Sequence, residues 1–278
     1  MTGRSPRSLQ NYEPSIWEQI IGNRKVKRYF QKLVRRIRRE ADAGSSRALR
    51  HACFLLTGES RSGKTAAVKF LVRCIKCHRL DPVTLNPCDG TCANCRDRVG
   101  SEEQHGLFES VKTPDGQTEI HFHIIDCTKI STPAELIEKL RAIGHKVNTS
   151  GYVVVYLDEA HRLVARHMDE ILLKEVEDHH YLWFFSTAKP EGLEDMFQNR
   201  LIKLATELPA DDEMAPWLID RCNEAGIDWE PEAILRVIDK SNRVVGIALQ
   251  ALTLAALDPD EGLTLDLVEN DWVVKLDS

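Results

Sequence analysis

The 278 residues contain no apolar run near the roughly 20 consecutive residues that a membrane-spanning helix needs. Residues 1–15 are polar, basic and proline-containing, so they do not read as a secretory leader with an apolar middle. An internal repeat and an extended low-complexity segment are also missing, which sets aside solenoid and fibrous architectures. With no export signal visible, a cytoplasmic location is the expectation. What the chain has is 42% hydrophobic and 29% charged residues, a balance that suits one or two buried cores.

Charge is unevenly spread. Residues 1–50 carry 13 Lys/Arg against 4 Asp/Glu, whereas residues 207–278 carry 5 against 17. The two ends are therefore expected to meet different surroundings. The basic stretch KVKRYFQKLVRRIRRE (25–40) predicts a helix with Val26, Phe30, Leu33, Val34 and Ile37 on one face and arginines on the other. That basic face is either solvated or a contact for a phosphate backbone or a partner subunit.

Directly behind the apolar run CFLLT (53–57) stands GESRSGKT, which matches G-x-x-x-x-G-K-[ST]. In such a P-loop the backbone N–H groups of Gly58, Glu59, Ser60, Arg61, Ser62, Gly63, Lys64, Thr65 and Ala66 wrap phosphates. The Lys64 ammonium reaches the β/γ oxygens, and the Thr65 hydroxyl is a magnesium ligand. A helical pattern, AAVKFLVRCIKC, follows and points its N-terminus at the anion.

A second apolar run, GYVVVYLDEA (151–160), ends in Asp158 and Glu159. An acid pair at a strand tip about ninety residues after a P-loop reads as the other half of an NTPase site. Asp158 is then the magnesium-holding residue, and Glu159 orients the attacking water. LDEAH and STA (186–188) also fit a superfamily-two helicase, but only 91 residues follow Thr187, mostly helical and acidic, which is too little for a second nucleotide-sandwiching domain.

HFHIIDC (121–127) and YLWFFST (181–187) are two more strand candidates, and helical patterns separate the four. Alternating strands and helices predict an α/β fold with a parallel sheet covered on both faces, its ligands at the carboxyl ends of the strands. From about Pro209 the strand signal stops. MAPWLIDRCNEAG, PEAILRVIDKS and VVGIALQALTLAAL read as three helices of a small acidic domain. The expected division is 1–206 for the α/β domain, with a cysteine-rich insertion at about 74–96, then 207–262 for the helical domain and 263–278 for a tail.

Six of the eight cysteines cluster at Cys53, Cys74, Cys77, Cys88, Cys92 and Cys95. In a reducing compartment such clustering argues for metal rather than disulfides.

Taken in order, these elements resemble the AAA+ clamp-loader ATPases, particularly the bacterial DNA polymerase III gamma/tau type. The resemblance runs from about Tyr12 to about Leu254 through YEPSIWEQIIGN, GESRSGKT, the cysteine module, IIDCTKISTPAELIEKL, VVVYLDEAHRL, FFSTAKPEGLEDMFQNRL and the helical domain. It implies a five-stranded parallel sheet, a helical lid and Mg-dependent hydrolysis of ATP to ADP and phosphate. Tyr12 and Ile21 of the opening box are implied to lie against the adenine. A four-cysteine zinc module after the P-loop helix is also implied, here Cys77, Cys88, Cys92 and Cys95. Cys74, one helical turn before Cys77, is an alternative ligand, and a closed thiolate set of this kind suits a structural Zn²⁺.

The resemblance further implies that Arg200 reaches a neighbouring subunit's γ-phosphate. The family's sensor residue aligns with Ala188, leaving Thr187 one position early as the candidate, and the lid's sensor arginine aligns with Gly246, one turn after Arg243. The implied partners are further AAA+ subunits, DNA and a sliding-clamp-like protein. The family's third, helical collar domain is not among these residues, so either the sequence is truncated or assembly is expected to use the ATPase interfaces or another protein. A slow nucleotide-gated adaptor that recruits a partner without clamp loading is the other reading.

Overall fold

A computed structural model of the chain describes residues 12–42, 52–92, 109–112, 119–144, 152–178, 181–258 and 260–274, together with Leu9 and Cys95. Most of the polar segment 1–15 lies outside the described residues, as do positions 93, 94 and 96 of the cysteine-rich insertion and the last four residues of the expected tail.

Five parallel strands carry the α/β part: β1 (Cys53–Thr57), β3 (Glu119–Asp126), β4 (Tyr152–Asp158), β5 (Leu182–Thr187) and β6 (Ile202–Ala205). A sixth, β2 (Glu109–Lys112), adds antiparallel to β3, and the spatial order is β2-β3-β4-β5-β1-β6. The sheet is thus the parallel one the alternating pattern predicts, with an antiparallel edge strand that the pattern does not announce. Because β1 lies between β5 and β6, the loop after β1 meets the tips of β4 and β5 at one end of the sheet.

Alternation along the strands divides the core in two. Phe54, Leu56, Val154, Tyr156, Leu182 and Phe184 face α1 (Arg24–Asp42) and α2 (Lys64–Lys76). The expected face of α1 packs here: Val26, Phe30, Leu33, Val34 and Ile37 are all buried. Across that layer Phe54 stacks on Phe184, with centroids 4.9 Å apart. The odd-numbered residues Leu55, Val153, Val155, Leu157, Trp183 and Phe185 face α3 (Pro133–Gly144) and α5 (Asp169–Asp178). Two short helices, α4 (His161–Val164) and α6 (Asp195–Gln198), follow β4 and β5.

The third core belongs to α7 (Asp211–Ala225), α8 (Pro231–Lys240) and α9 (Val245–Ala255). Gly226 ends α7 in the left-handed conformation, φ 70°, which costs glycine little. Leu263, Leu267, Val268 and Trp272 are buried in this same core, so residues expected as a tail are part of the helical unit's packing. Lys240 ties them down by donating its ammonium to the carbonyls of Val268 and Trp272. Among the described residues no helix is long and apolar enough to cross a membrane.

Candidate functional site

β1 delivers the chain into a loop that only certain residues can follow. Gly58 has φ 142°, and a Cβ there would lie 1.9 Å from Thr206 Oγ1. Gly63 has φ 91° and caps α2. The loop is braced from behind, where Ser62 Oγ meets Thr206 Oγ1 at 3.0 Å and Asn23 Nδ2 donates to the Ser62 carbonyl at 3.3 Å. Lys64 is only 5% exposed, and its ammonium donates to the carbonyls of Gly58 and Glu59 at 2.9 and 2.7 Å. Burial lowers its pKa, while Glu159, Asp158 and Glu59 act in the opposite sense.

A cavity of about 570 Å³ opens over this loop. Ser60, Arg61, Gly63, Lys64, Thr65 and Ala66 line one wall, and Asp158 and Glu159 line a second. The helical unit, expected as a lid, closes a third with Val245, Gly246, Leu249 and Gln250, and Tyr12 completes it. Thr65 Oγ1 donates to Asp158 Oδ2 at 3.2 Å. A hydroxyl and a carboxylate oxygen side by side are hard donors of the type Mg²⁺ takes, so the residues present fit that ion. The loop's amides, the helix N-terminus and a buried ammonium fit a polyphosphate.

Ile21 does not line the cavity; it packs against the lid core. Tyr12 sits edge-on to Trp217 with centroids 5.4 Å apart, and its hydroxyl accepts a hydrogen bond from the buried Arg221. Arg200 lies on the surface beyond α6, where it pairs with Glu177 at 3.1 Å. Both side chains are about half exposed, so this contact restrains Arg200 weakly. Arg243 stands outside the cavity lining, 3.7 Å from Asp211.

Thr187 is fully buried and does not line the cavity. Its hydroxyl lies 3.0 Å from His161 Nδ1, which in turn stands 3.3 Å from Glu159 Oε2. Burial lowers the His161 pKa, with Glu159 opposing, so a neutral ring is favoured. Glu159 itself has φ 55°, a left-handed backbone that is uncommon for a non-glycine residue. His161 closes the LDEAH run that also fits a helicase motif, but the reading of Asp158 and Glu159 as half of an NTPase site gives it no role of its own. Two further hydroxyls, those of Tyr156 and Ser186, also reach Asp158; no motif marks Tyr156, and the STA run that Ser186 opens assigns that serine no role here.

The second site is the cysteine module. The sulfurs of Cys77, Cys88, Cys92 and Cys95 lie within 4.8 Å of one another. Tetrahedral Zn–S bonds of about 2.3 Å separate sulfurs by roughly 3.8 Å, so this set fits Zn²⁺. Cys74 lies outside the cluster, buried in the core beside α1, so the four grouped sulfurs include Cys77 and not Cys74. Cys77 follows α2 as its C-cap. The Cys95 thiol and the N–H groups of Cys88 and Arg79 pull the Cys77 pKa down to about 5, which favours a thiolate. The module is docked from two sides. Arg73 donates to the Cys88 carbonyl at 3.0 Å, and Trp17 donates its indole N–H to the Leu85 carbonyl at 2.9 Å.

No family model matches the sequence, and no curated protein matches it either. Solved structures do match. RuvB of Thermotoga maritima, described as a Holliday junction branch migration motor, aligns with a TM-score of 0.53 at 13% identity, covering 92% of this chain and 70% of that one. Two mutant forms of the same RuvB align with TM-scores of 0.56 and 0.55 at 14% and 16% identity, over the same shares of the two chains. The chain has the α/β P-loop fold that these structures share. At these identities the likeness concerns the fold alone; what the cavity does has to be argued from its own residues.

Proposed function

We propose that the chain is a Mg-dependent ATPase of clamp-loader type, acting on DNA or a DNA-bound sliding-clamp-like partner in replication or repair. The observation that carries the reading is that Lys64, Thr65, Asp158 and Glu159, far apart in sequence, line one cavity roofed by the lid. Lys64 and the loop amides hold the phosphates. Thr65 and Asp158 would hold Mg²⁺, which would supply neutralisation of the phosphate charge. Glu159 orients the attacking water, and His161 with Thr187 fixes the Glu159 carboxylate. Tyr12, Leu249 and Val245 offer apolar surface to the base. Arg200 is the residue we assign to a neighbouring subunit's site, where its contact with Glu177 is weak enough to be exchanged.

The cycle turns on the lid. ATP bound between loop and lid favours one arrangement of subunits and ADP another, and the work done is limited by that difference in affinity. The cysteine module, read as a structural Zn²⁺ site, supports the clamp-loader resemblance, since such a module after the P-loop helix is part of it. For DNA, α1 offers a surface: Arg28, Lys32, Arg35 and Arg39 are exposed at helical spacing and have no ion-pair partner among the described residues. The stripe spans roughly 16 Å at 1.5 Å per residue.

The adaptor reading is favoured by one specific feature: Gly246 stands where the family's lid arginine would, and Thr187 is turned onto His161. ATP turnover measured alone, with primed DNA and with a four-way junction separates the readings. Strong stimulation by primed DNA supports the loader, stimulation by the junction alone supports a branch-migration motor, and tight ATP binding with no turnover supports the adaptor.

A further inference from the structure

Three hydroxyls converge on Asp158, and the P-loop pattern accounts for Thr65 alone. Tyr156 stands two residues earlier on β4, so it projects from the same face of the sheet. Its ring is fully buried, and its hydroxyl lies 3.1 Å from Asp158 Oδ1, 2.9 Å from Ser186 Oγ and 2.9 Å from Thr65 Oγ1. Ser186, also fully buried, donates to the same Oδ1. The parallel register of Tyr156 with Phe184 and Leu157 with Phe185 carries Ser186 to the level of Asp158.

A role in packing alone needs only the ring of Tyr156, which phenylalanine would supply. The hydroxyl adds a polar group to a dry interior, and such groups are costly unless they are bonded. Here every partner of that hydroxyl belongs to one small network ending on Asp158. Each hydroxyl brings one proton and the ionised carboxylate brings none. Ser186 and Tyr156 can therefore both occupy Oδ1, while Thr65 donates to Oδ2 and keeps lone pairs for a cation.

We propose that Tyr156 and Ser186 are positioning residues for magnesium: by occupying Oδ1 they fix the plane of the Asp158 carboxylate, so that Oδ2 and the Thr65 hydroxyl face the metal as a pair. This rests on the reading of the cavity as a magnesium–nucleotide site and goes one step beyond it, assigning the groups that orient the ligand. Outer groups bonded to a metal ligand commonly change affinity by about 10- to 100-fold when removed.

The test uses Mn²⁺, followed by electron paramagnetic resonance, titrated into the full chain with a non-hydrolysable ATP analogue. In Tyr156→Phe and in Ser186→Ala, half-saturation by Mn²⁺ is expected to rise about tenfold. Analogue affinity in the presence of EDTA is expected to stay within about twofold and the melting temperature close to that of the parent chain, since Phe fills the space and Ala leaves the strand intact. The double variant is expected to lose less than the product of the two, because both act on one oxygen. Unchanged Mn²⁺ half-saturation in the folded single variants overturns the proposal, as does an equal loss of analogue affinity in EDTA, which would mean general damage to the cavity. A parent chain that takes up no analogue is a different result: it removes the nucleotide reading itself.

Discussion

The backbone N–H of Gly246, in the lid, donates to the carbonyl of Arg61, in the P-loop, at 3.0 Å. A Cβ at position 246 would lie 2.7 Å from Arg61 Cβ and 2.9 Å from that carbonyl oxygen. The lid thus touches the phosphate-binding loop backbone to backbone, and glycine is what permits the approach.

Gly246→Ala is therefore expected to push the lid off the loop, at a cost of roughly 1–3 kcal/mol, the usual range for overpacking. The loss should appear as an approximately tenfold or greater fall in ATP affinity, read by titration calorimetry, with the melting temperature of the nucleotide-free chain changed less than that of the complex. Equal affinity in the two proteins would mean that the contact does not bear on nucleotide binding.

Glu159→Gln keeps the shape of the side chain and removes the carboxylate that orients water. The variant is expected to bind ATP, hydrolyse it at least a hundredfold more slowly, and accumulate as an ATP-bound oligomer in mass measurements with Mg²⁺. Hydrolysis at the parental rate would contradict the role given to Glu159.

Metal analysis is expected to return one Zn²⁺ per chain. Cys77→Ser or a strong chelator should lower stability by at least about 2 kcal/mol, or roughly 5 °C in Tm, because the module holds the carbonyls that Arg73 and Trp17 bond. Metal-free protein of unchanged Tm would remove the zinc reading.

Replacing Arg28, Lys32, Arg35 and Arg39 of α1 by glutamine is expected to weaken DNA binding without regard to sequence. It should also flatten the dependence of log affinity on log salt, by about one unit for each phosphate the helix no longer neutralises. An unaltered salt slope would assign the stripe to solvent.

Much of this site was legible in the sequence because its chemistry is local. GESRSGKT encodes its own turn through Gly58 and Gly63, and the run ending at Asp158-Glu159 announces a strand tip. Where tertiary packing decides, the pattern is silent. Strand β2, Glu-Ser-Val-Lys at the sheet edge, pairs on one side only and shows no apolar run. Leu263, Leu267, Val268 and Trp272 follow no single helical spacing, yet they fill the lid core. Tyr156 reads as an ordinary strand residue and Ser186 only as the start of the STA run, and it is the register of β4 against β5 that brings their hydroxyls to one carboxylate. The choice between Cys74 and Cys77 likewise turns on geometry: one is still within α2, and the other has just left it.

The most direct test of the account is equilibrium uptake of labelled ATP, with Mg²⁺, by the chain and by Lys64→Ala. Saturable binding by the parent chain and at least a tenfold loss in the variant are predicted, since Lys64 is the buried ammonium at the head of the cavity. No uptake by the parent, or equal uptake by both, would contradict it.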